Sequence, residues 1–377
     1  MTILLTGASG FLGSELLCRL LRDYPQEKIH VLLRAASEAE AHQRLHRILE
    51  LKEVDDARRA QCVPLVGDVV YEDLGLATKY DPIAVEVTEI FHTAANTSFN
   101  QKLEDARKVN CQGTVNVATF AERAQQLGGF RRLHHVSTAY VCGNRSGLIL
   151  EDELECGQDF SNTYEQSKYE AEIYLRAKLT EVPITIYRPS IIVGDSKTGR
   201  TQHFYVIYEP MRWFCQGQLS FLPCKPEIRL DIVPVDYVAE AIIAIARRDD
   251  SVGKTYHLSA GPQRSLNLRS LVEHCSLVIN AYNREHGYQE LPAPEIVTPE
   301  MIDSFEGEQR DQFRVFFERA WQQMQRHMPY VVSQKDFDDT NTRAALETTG
   351  ISCPSFSDYL HNVVYYAMSK NFRADEV

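Results

Sequence analysis

The chain has 377 residues, of which 44% are apolar and 24% are charged. This length and composition suit one large domain with an appended lobe, or two modest domains, and they exclude a small disulfide-stapled scaffold and a disordered chain. Because 52 acidic residues outnumber 40 lysines and arginines, the formal net charge is −12, which argues against a general binder of nucleic acid or of anionic membranes. No apolar run approaches the roughly 20 residues of a transmembrane helix, and the nine cysteines have no CxxC or zinc-ligand spacing. We therefore expect a soluble, cytoplasmic protein with reduced thiols, no metal site and no transmembrane segment.

Apolar runs of strand length alternate with amphipathic helical patterns through the first two thirds of the chain. The runs predict strands at residues 3–5, 29–33, 62–66, 90–95, 133–136, 184–187 and 255–258. Helical spacing predicts a helix that carries the leucines of residues 12–21, and further helices over residues 37–51, 113–126, 164–179 and 236–247. Since this alternation is typical of parallel βαβ units, we predict an α/β fold with a doubly wound, parallel Rossmann sheet.

The first predicted strand is followed by Thr6-Gly7-Ala8-Ser9-Gly10-Phe11-Leu12-Gly13, in which the glycines stand at i, i+3 and i+6. Glycine at these positions permits a tight turn, a close approach of the backbone to a pyrophosphate and close packing of the helix on the strand. The place between the first strand and the first helix favours a dinucleotide-binding loop over a purely structural turn. The residues assigned to the cofactor from this loop are Thr6, Gly7, Ser9, Gly10, Phe11, Leu12 and Gly13.

The end of the second predicted strand distinguishes the two nicotinamide dinucleotides. Chains that use NAD usually have Asp or Glu there, to accept hydrogen bonds from the ribose hydroxyls, whereas this chain has Arg34. A guanidinium favours a 2′-phosphate, and Arg44 in the next helix is a second candidate for it; the alternative for both is a solvated surface arginine. Asp68, after the third strand, is a candidate to accept from the adenine amino group or to act as a turn residue. The arginines predict NADPH as the cofactor.

Tyr164 and Lys168 are four residues apart on a predicted helix and so share one face. A nearby ammonium group favours the phenolate, so we expect Lys168 to lower the pKa of Tyr164 towards the working range of a general acid. Ser137 and Thr138 end a predicted central strand, at the edge where open α/β sheets bind ligands. Because successive strand residues point to opposite faces, only one of these hydroxyls can face the cleft, and we choose Thr138.

Seven segments occur in the order TGASGFLG, HTAANTSF, VNCQGTVNV, HVSTAY, YEQSK, YRPSIIVGDSKTG and DIVPVDYVAEAI. This set resembles the extended short-chain dehydrogenase/reductases, from the N-terminus to about residue 260. Within that family, Leu33-Arg34, the segment 41–45 and RPSIIVGDSKTG resemble the thioester reductase group. The group includes the reductase domains of nonribosomal peptide synthetases and of carboxylic acid reductases, and the fatty acyl-CoA reductases. The segments 335–342 and 359–366 also resemble the closing part of that group.

The resemblance implies a catalytic trio of Thr138, Tyr164 and Lys168, with Lys168 also holding the nicotinamide ribose. It implies that the loop glycines cradle the pyrophosphate and that Arg34 and Arg44 bind the 2′-phosphate. It assigns Asp68 and Val69 to the adenine, and Pro189 and Ser190 to the nicotinamide. Ala94 and Ala95 would lie along the cofactor between them.

The resemblance further implies the NADPH-dependent reduction of an acyl thioester to an aldehyde, or onward to an alcohol. These 377 residues carry no adenylation or carrier domain, so we expect the thioester to arrive as acyl-CoA or on a separate acyl or peptidyl carrier protein. One alternative is an extended short-chain reductase or dehydrogenase that acts on a free aldehyde, ketone or secondary alcohol with the same catalytic residues. Another is an NADP(H)-binding sensor without turnover, which the intact trio disfavours.

The regular alternation breaks after Arg188-Pro189. We assign residues 1–194 and about 231–261 to an NADP-binding Rossmann domain, and about 195–230 and 262–377 to a smaller, discontinuous C-terminal substrate-binding lobe. In the lobe, the aromatic segment 203–218 is either the wall of an apolar acyl tunnel or plain core. The aromatic segment 309–328 predicts a helix that packs on the lobe, or a lid, a carrier-protein dock or a membrane-surface contact. Lys197, Arg200 and Arg229 are either local positive charge for a phosphopantetheine or CoA phosphate, or solvated surface residues.

Overall fold

Strands and helices alternate through the computed structural model, which describes residues 1–298, 301, 315, 328–331 and 333–374. Its strands are β1 (Thr2–Thr6), β2 (Lys28–Leu33), β3 (Cys62–Val66), β4 (Glu89–His92), β5 (Arg132–Val136), β6 (Gly147–Ile149), β7 (Ile184–Pro189), β8 (Ile191–Val193), β9 (Phe221–Pro223), β10 (Arg229–Leu230), β11 (Ile232–Pro234), β12 (Thr255–Leu258), β13 (Leu266–Asn267), β14 (Glu295–Val297) and β15 (Lys335–Phe337). Its α-helices are α1 (Phe11–Asp23), α2 (Glu38–Leu51), α3 (Asp56–Arg59), α4 (Tyr80–Glu86), α5 (Leu103–Arg107), α6 (Gly113–Leu127), α7 (Thr163–Ala177), α8 (Tyr208–Cys215), α9 (Val235–Ala246), α10 (Leu268–Glu285), α11 (Met328–Val331), α12 (Thr340–Leu346) and α13 (Phe356–Ser369). A π-helical turn, Lys108–Gln112, joins α5 to α6. Within these ranges no helix combines the length and apolarity needed to span a bilayer, and no group of three or more His, Cys, Asp or Glu side chains is arranged to hold a metal ion.

Seven parallel strands form the central sheet, in the order β12-β7-β5-β4-β1-β2-β3. The winding proceeds outward in both directions from β1, which pairs with β2 on one side and with β4 on the other. This confirms the doubly wound Rossmann sheet that the sequence predicts. In such a sheet the crevice between the two strands where the winding reverses, here β1 and β4, opens at their carboxyl ends and is the usual ligand site.

Successive residues of β1 supply the two opposite faces of the sheet. Ile3 and Leu5 belong to a buried cluster with α1, α2 and α9, whereas Leu4 belongs to a cluster with α4, α6 and α7. Because helices cover both faces, consecutive residues of a central strand can all be buried and apolar, as Ile3, Leu4 and Leu5 are in β1.

A third buried cluster forms the core of a lobe beside the sheet, with α8, α10 and α13 as its helices. Four pairs of short strands accompany it: β8 with β11, β6 with β15 and β9 with β14 are parallel, and β10 with β13 is antiparallel. Strands of two or three residues are too short to show a hydrophobic period, so the sequence pattern predicted none of these pairs.

The last two described helices complete different cores. Ala345 and Leu346 of α12 join the cluster of α1, α2 and α9, whereas Phe356 and Val363 of α13 join the core of the lobe. The residue boundaries given above for the Rossmann domain and the lobe stay a prediction. The predicted aromatic helix over 309–328 lies outside the described residues, apart from residues 315 and 328.

Candidate active site

The turn between β1 and α1 packs against the end of β4. Gly7 has a φ of +78°, and a Cβ atom on it would lie 2.5 Å from the backbone nitrogen of Ala94. A Cβ atom on Gly13 would collide with the carbonyl group of Gly7. The glycines therefore keep a cradle of bare backbone at the crevice between β1 and β4. Gly10 gives α1 no side-chain cap, so the first N–H groups of that helix remain available to an anion.

The other residues predicted for this loop lie around the same turn. The Thr6 hydroxyl accepts a hydrogen bond from the backbone nitrogen of Ala94 (3.3 Å), which joins the ends of β1 and β4. The half-buried residues of this region include Ala94 and Ala95 after β4, and Ser9, Phe11 and Leu12 at the start of α1.

Arg34 and Arg44 come together at the end of β2. Arg44 Nη1 donates a hydrogen bond to the carbonyl oxygen of Arg34, and the Arg34 side chain is exposed. Asp68 follows β3, and its Oδ1 accepts from the backbone nitrogen of Val70 (3.1 Å). The carboxylate therefore serves as a turn residue, with its other oxygen making no hydrogen bond to the described residues. Val69 beside it is buried.

Ser137 and Thr138, after β5, point in opposite directions. Ser137 Oγ donates to Glu172 Oε2 (2.9 Å) in a buried polar network. Thr138 Oγ1 donates to the carbonyl oxygen of Pro189 (3.4 Å), and the Thr138 side chain is near enough to Tyr164 to lower the pKa of that phenol. Of the two hydroxyls that the sequence left open, Thr138 is the one that faces Tyr164.

Tyr164 and Lys168 are held by α7 next to the end of β5. Burial raises the pKa of Tyr164 to about 12, and the hydrogen bond with Thr138 offsets only part of this effect. Lys168 Nζ is buried, donates to the carbonyl oxygen of Val136 (2.7 Å) and lies 3.3 Å from His135 Nε2. The raised pKa of Tyr164 is opposite to the lowering predicted from the sequence, because burial dominates. It keeps the phenol protonated at neutral pH, which is the form that a proton donor needs.

Burial also shifts the pKa of Lys168, which falls to about 8. An ammonium group taken out of water loses hydration, so the neutral amine is favoured. Glu172, one turn further along α7, acts in the other direction but does not cancel the effect of burial.

Two buried polar residues of this region were missed by the sequence analysis. Asn110, in the π-helical turn, donates from Nδ2 to Ser167 Oγ (2.9 Å) and accepts at Oδ1 from the backbone nitrogen of Asn96 (2.7 Å). His135 lies beside Lys168, and burial holds its pKa well below the usual value, so its ring is neutral. Both occur in the quoted segments VNCQGTVNV and HVSTAY, but one sequence does not separate a buried polar anchor from an ordinary packing residue.

Pro189 and Ser190 lie at the end of β7, next to Thr138. The Ser190 hydroxyl donates to Asp231 Oδ1 (2.5 Å), and the same carboxylate accepts from the backbone nitrogens of Ala260 (2.9 Å) and Gly261 (3.0 Å). The Ser190 side chain is thus fixed by Asp231, which the loop after β12 holds in turn.

An apolar cavity of about 100 Å³ opens in the lobe. It reaches Ile191, two residues beyond Pro189, and it extends between α8 and α10, where Phe214 and Leu271 line it. No charged side chain lines the cavity among the described residues. The segment 203–218, for which the sequence left tunnel wall and core open, contributes to both: Met211 and Phe214 are buried in the core and also border the cavity.

The three basic residues considered for a phosphate do not form one cluster. Arg229 Nη2 is paired with Asp336 Oδ1 (2.7 Å). Arg200 borders one groove with Arg47 and a neighbouring groove with Phe11, the first residue of α1. Lys197 is exposed on the same loop as Arg200. Arg229 is therefore engaged within the lobe, while the charge of Arg200 lies near the glycine cradle.

A profile of the family described as male sterility protein, an NAD-binding family, matches residues 5–242. The chain belongs to this family. It is 32% identical over 265 residues (68% of this chain, 5% of the relative) to a linear gramicidin synthase of Brevibacillus parabrevis. It is 30% identical over 371 residues (92% of this chain, 34% of the relative) to an aldehyde reductase of Aspergillus flavus. A putative fatty acyl-CoA reductase of Drosophila melanogaster is 29% identical over 278 residues (64% of this chain, 53% of the relative). The chain thus spans from a twentieth to about half of the length of these relatives.

Among solved structures, the terminal R domain from the myxalamid PKS-NRPS biosynthetic pathway superposes with a TM-score of 0.78 at 27% identity, covering 100% of this chain and 92% of that domain. A UDP-glucuronic acid 4-epimerase from Bacillus cereus in complex with NAD, at 15% identity, superposes with a TM-score of 0.67 over 98% of this chain and 100% of that one, and shows the fold alone. These matches confirm the resemblance to the extended short-chain dehydrogenase/reductases and, within them, to thioester reductase domains and fatty acyl-CoA reductases. The aldehyde reductase, fatty acyl-CoA reductase and reductase-domain relatives support an NAD(P)-dependent oxidoreductase.

Proposed function

We propose that the chain is an NADPH-dependent reductase that converts an acyl thioester to an aldehyde. One arrangement carries the proposal: Thr138, Tyr164 and Lys168 lie near the carboxyl end of β5. The glycine cradle lies at the carboxyl ends of β1 and β4 in the same sheet, and the apolar cavity reaches Ile191 just after β7. A thioester whose acyl chain entered the cavity would have its carbonyl group beside the two hydroxyls, within reach of a dinucleotide in the cradle.

The residues of the crevice fit a dinucleotide, because side chains at Gly7 and Gly13 would fill the cradle that its pyrophosphate needs. The adjacent Arg34 and Arg44 would bind the 2′-phosphate that distinguishes NADPH from NADH. The cofactor, when bound, supplies the hydride for the reduction. The residues proposed to contact the rest of it are Thr6, Ser9, Gly10, Phe11, Leu12, Asp68, Val69, Ala94, Ala95, Tyr164, Lys168, Pro189 and Ser190.

The side chains of the catalytic trio have separate tasks in this proposal. Thr138 and Tyr164 donate hydrogen bonds to the carbonyl oxygen, so negative charge that develops there meets donors already in position. Tyr164 gives its proton to that oxygen, and the product is a hemithioacetal. Breakage of its carbon–sulfur bond releases the thiol and leaves the aldehyde. Lys168 holds the nicotinamide ribose and, as a cation, assists the proton transfer from Tyr164.

The thiol carrier of the substrate is proposed to be either CoA or a separate carrier protein. A reductase domain of a PKS-NRPS pathway and a putative fatty acyl-CoA reductase are both similar to this chain. Reduction of the aldehyde to an alcohol would use the same three residues in a second cycle.

The test follows NADPH consumption with acyl-CoAs, with an acylated carrier protein and with the corresponding free aldehydes. Tyr164→Phe removes the proton donor while keeping the ring, so we expect kcat to fall by roughly a hundredfold to ten-thousandfold. NADPH binding, measured by fluorescence titration, should change little. Thioester turnover at the wild-type rate in Tyr164→Phe would refute the assignment.

A second candidate function is the reduction of a free aldehyde or ketone. The observation that favours it is the 30% identity to an aldehyde reductase, which extends over 92% of this chain. Turnover of aldehydes without any turnover of thioesters in the same assay would select this candidate.

A further inference from the structure

Tyr330 connects the apolar cavity with the surroundings of Tyr164. Its ring lines the cavity beside Val331. Phe99 stands between the two tyrosines: its ring centroid lies 6.0 Å from that of Tyr330 and 6.1 Å from that of Tyr164. Tyr140 packs edge-on against Tyr330, with the centroids 4.8 Å apart. A chain of ring contacts thus links Tyr164, through Phe99, to the cavity-lining Tyr330.

The hydroxyl of Tyr330 is anchored to the residue that follows Tyr164. It donates to Glu165 Oε1 at 2.9 Å, and Asn162 Nδ2 donates both to this hydroxyl (3.2 Å) and to Glu165 Oε1 (3.0 Å). The backbone nitrogen of Ser161 donates to Glu165 Oε2 (3.1 Å). Tyr330 is 7% exposed and Glu165 is 2% exposed, so water competes little for these bonds. The first turn of the helix that carries Tyr164 therefore also fixes the ring of Tyr330.

The lining of the cavity suits a hydrocarbon. Among the described lining residues only Ser276 and Tyr330 carry a hydroxyl, and that of Tyr330 is engaged by Glu165. A charged or peptide-like acyl group would lose its hydration in this cavity without gaining hydrogen-bond partners, which is costly. An alkyl chain loses no hydrogen bonds on entry.

We propose that Tyr330 determines the acyl-chain specificity of this enzyme. Anchored by Glu165, its ring forms a fixed part of the cavity wall on the side of Phe99 and Tyr164, so that a straight alkyl chain fits beside it and a cyclic or branched one is rejected. The inference rests on the proposed thioester reduction. It gives a function to a residue that stands more than 160 positions from Tyr164 in the sequence (Glu165 and Tyr330 are 165 apart) and that no sequence motif indicates.

The experiment separates binding from turnover. S-octyl-CoA and S-cyclohexylmethyl-CoA are thioethers that cannot be reduced, and their dissociation constants are measured by isothermal titration calorimetry with NADPH present. We expect the wild type to bind the octyl compound at least about tenfold more tightly, and Tyr330→Ala to bring the two affinities within about twofold of each other. Turnover of octanoyl-CoA and cyclohexanecarbonyl-CoA should show the same change in the ratio of kcat/KM.

Tyr288→Ala is the matched control, because Tyr288 belongs to the same lobe but is 64% exposed; it should keep the wild-type ratio. Tyr330→Phe and Glu165→Ala each remove the anchor. Each single variant should lose part of the selectivity. The double variant should lose no more than either single variant, as expected of two residues that act as a unit. Thermal unfolding checks that the variants are folded.

A folded Tyr330→Ala variant with unchanged selectivity, or a wild type that binds both thioethers equally, would overturn the inference. Reduction of thioesters with a selectivity indifferent to Tyr330 would leave the proposed function standing and this inference refuted. Selective binding of the thioethers without reduction of any thioester would refute the proposed function and leave the selectivity assigned to Tyr330 standing.

Discussion

The ammonium group of Lys168 is buried away from water. Its Nζ atom has the carbonyl oxygen of Val136 at 2.7 Å and the ring of His135 at 3.3 Å as its neighbours. The neutral histidine contributes no compensating charge, and Glu172 on the same helix is the carboxylate that acts on this lysine. Burial of this ammonium group therefore lowers the free energy of unfolding. Such a cost is expected where a buried group serves a function, here the catalytic role proposed for Lys168.

This cost predicts a pH dependence of stability. The pKa of Lys168 is about 8 in the folded protein against the usual 10.5, so its burial opposes folding below about pH 8, and the penalty disappears as the pH rises towards 10.5. Relative to Lys168→Met, the wild type should therefore gain on the order of 1–3 kcal/mol of unfolding free energy across this interval. Urea unfolding at a series of pH values measures the difference. Lys254→Met, at an exposed site, is the control, and a wild-type difference that falls with pH would contradict the prediction.

The proposed preference for NADPH also depends on single residues. Arg34→Ala removes the guanidinium that stands where NAD-binding chains have a carboxylate, so the KM for NADPH should rise by about tenfold or more. The KM for NADH should stay nearly constant, since that cofactor lacks the 2′-phosphate. Steady-state kinetics with both cofactors tests this, with the exposed Arg58→Ala as control. An equal rise for both cofactors would show that Arg34 does not recognise the phosphate.

The sequence alone proposed candidate catalytic residues but not their surroundings. Tyr164 and Lys168 could be paired because helix geometry fixes the relation of residues four apart. The choice between Ser137 and Thr138 depended on which face of β5 meets α7, which is a tertiary property. Asn110 was overlooked because its partners are distant in the sequence.

At the scale of elements, α7 is joined to β7 by an ion pair that is shielded from water. Arg188 and Glu172 are 1% and 0% exposed, and Arg188 Nη2 lies 2.6 Å from Glu172 Oε1. Burial raises the pKa of Glu172, but Arg188, Arg176 and the Ser137 hydroxyl together outweigh it, so the net pKa is lowered. The pair therefore fixes α7, the helix of Tyr164 and Lys168, against β7 of the sheet.

Removal of the negative charge alone should be strongly destabilising. Glu172→Gln leaves Arg188 buried without a counter-charge and should lower the unfolding free energy by about 3–5 kcal/mol. Glu170→Gln on the same helix breaks a more exposed pair with Arg107 and should cost less than about 1 kcal/mol. Chemical denaturation of both variants makes the comparison. Similar small losses in the two would show that the buried pair is not a structural requirement.

The strands and long helices of the βαβ alternation were predicted, whereas the 18-residue α10 of the lobe was not. β3 and β12 have the expected bounds, and α2 begins one residue after Ser37, which caps it through its hydroxyl. The predicted strand over 90–95 ends at His92, because Thr93 and the residues after it turn to meet Thr6. The short strands of the lobe obtain their hydrogen bonds from partners far along the chain, so local pattern carries no information about them.

At the scale of the molecule, the parallel sheet was predictable and the lobe was not. A doubly wound sheet is built from consecutive βαβ units, so its order follows from the alternation along the chain. The lobe is assembled from separate stretches around α8, α10 and α13, and its core also includes Tyr140 from the segment after β5. The cavity exists only as the space left between these stretches, which no single stretch encodes.

The contributions of α12 and α13 to the two cores also set an order of events during synthesis. The sheet strands β1 to β5 and β7 can pair as they leave the ribosome, because each one after β1 pairs with a strand made before it, whereas β6 waits for β15. The places later taken by Leu346 and Val363 stay uncovered until nearly the whole sequence has emerged. In a nascent molecule the glycine cradle therefore forms before the apolar cavity. In the interval, apolar surfaces of both cores are exposed and can bind chaperones, while the cavity that would bind substrate has not yet formed.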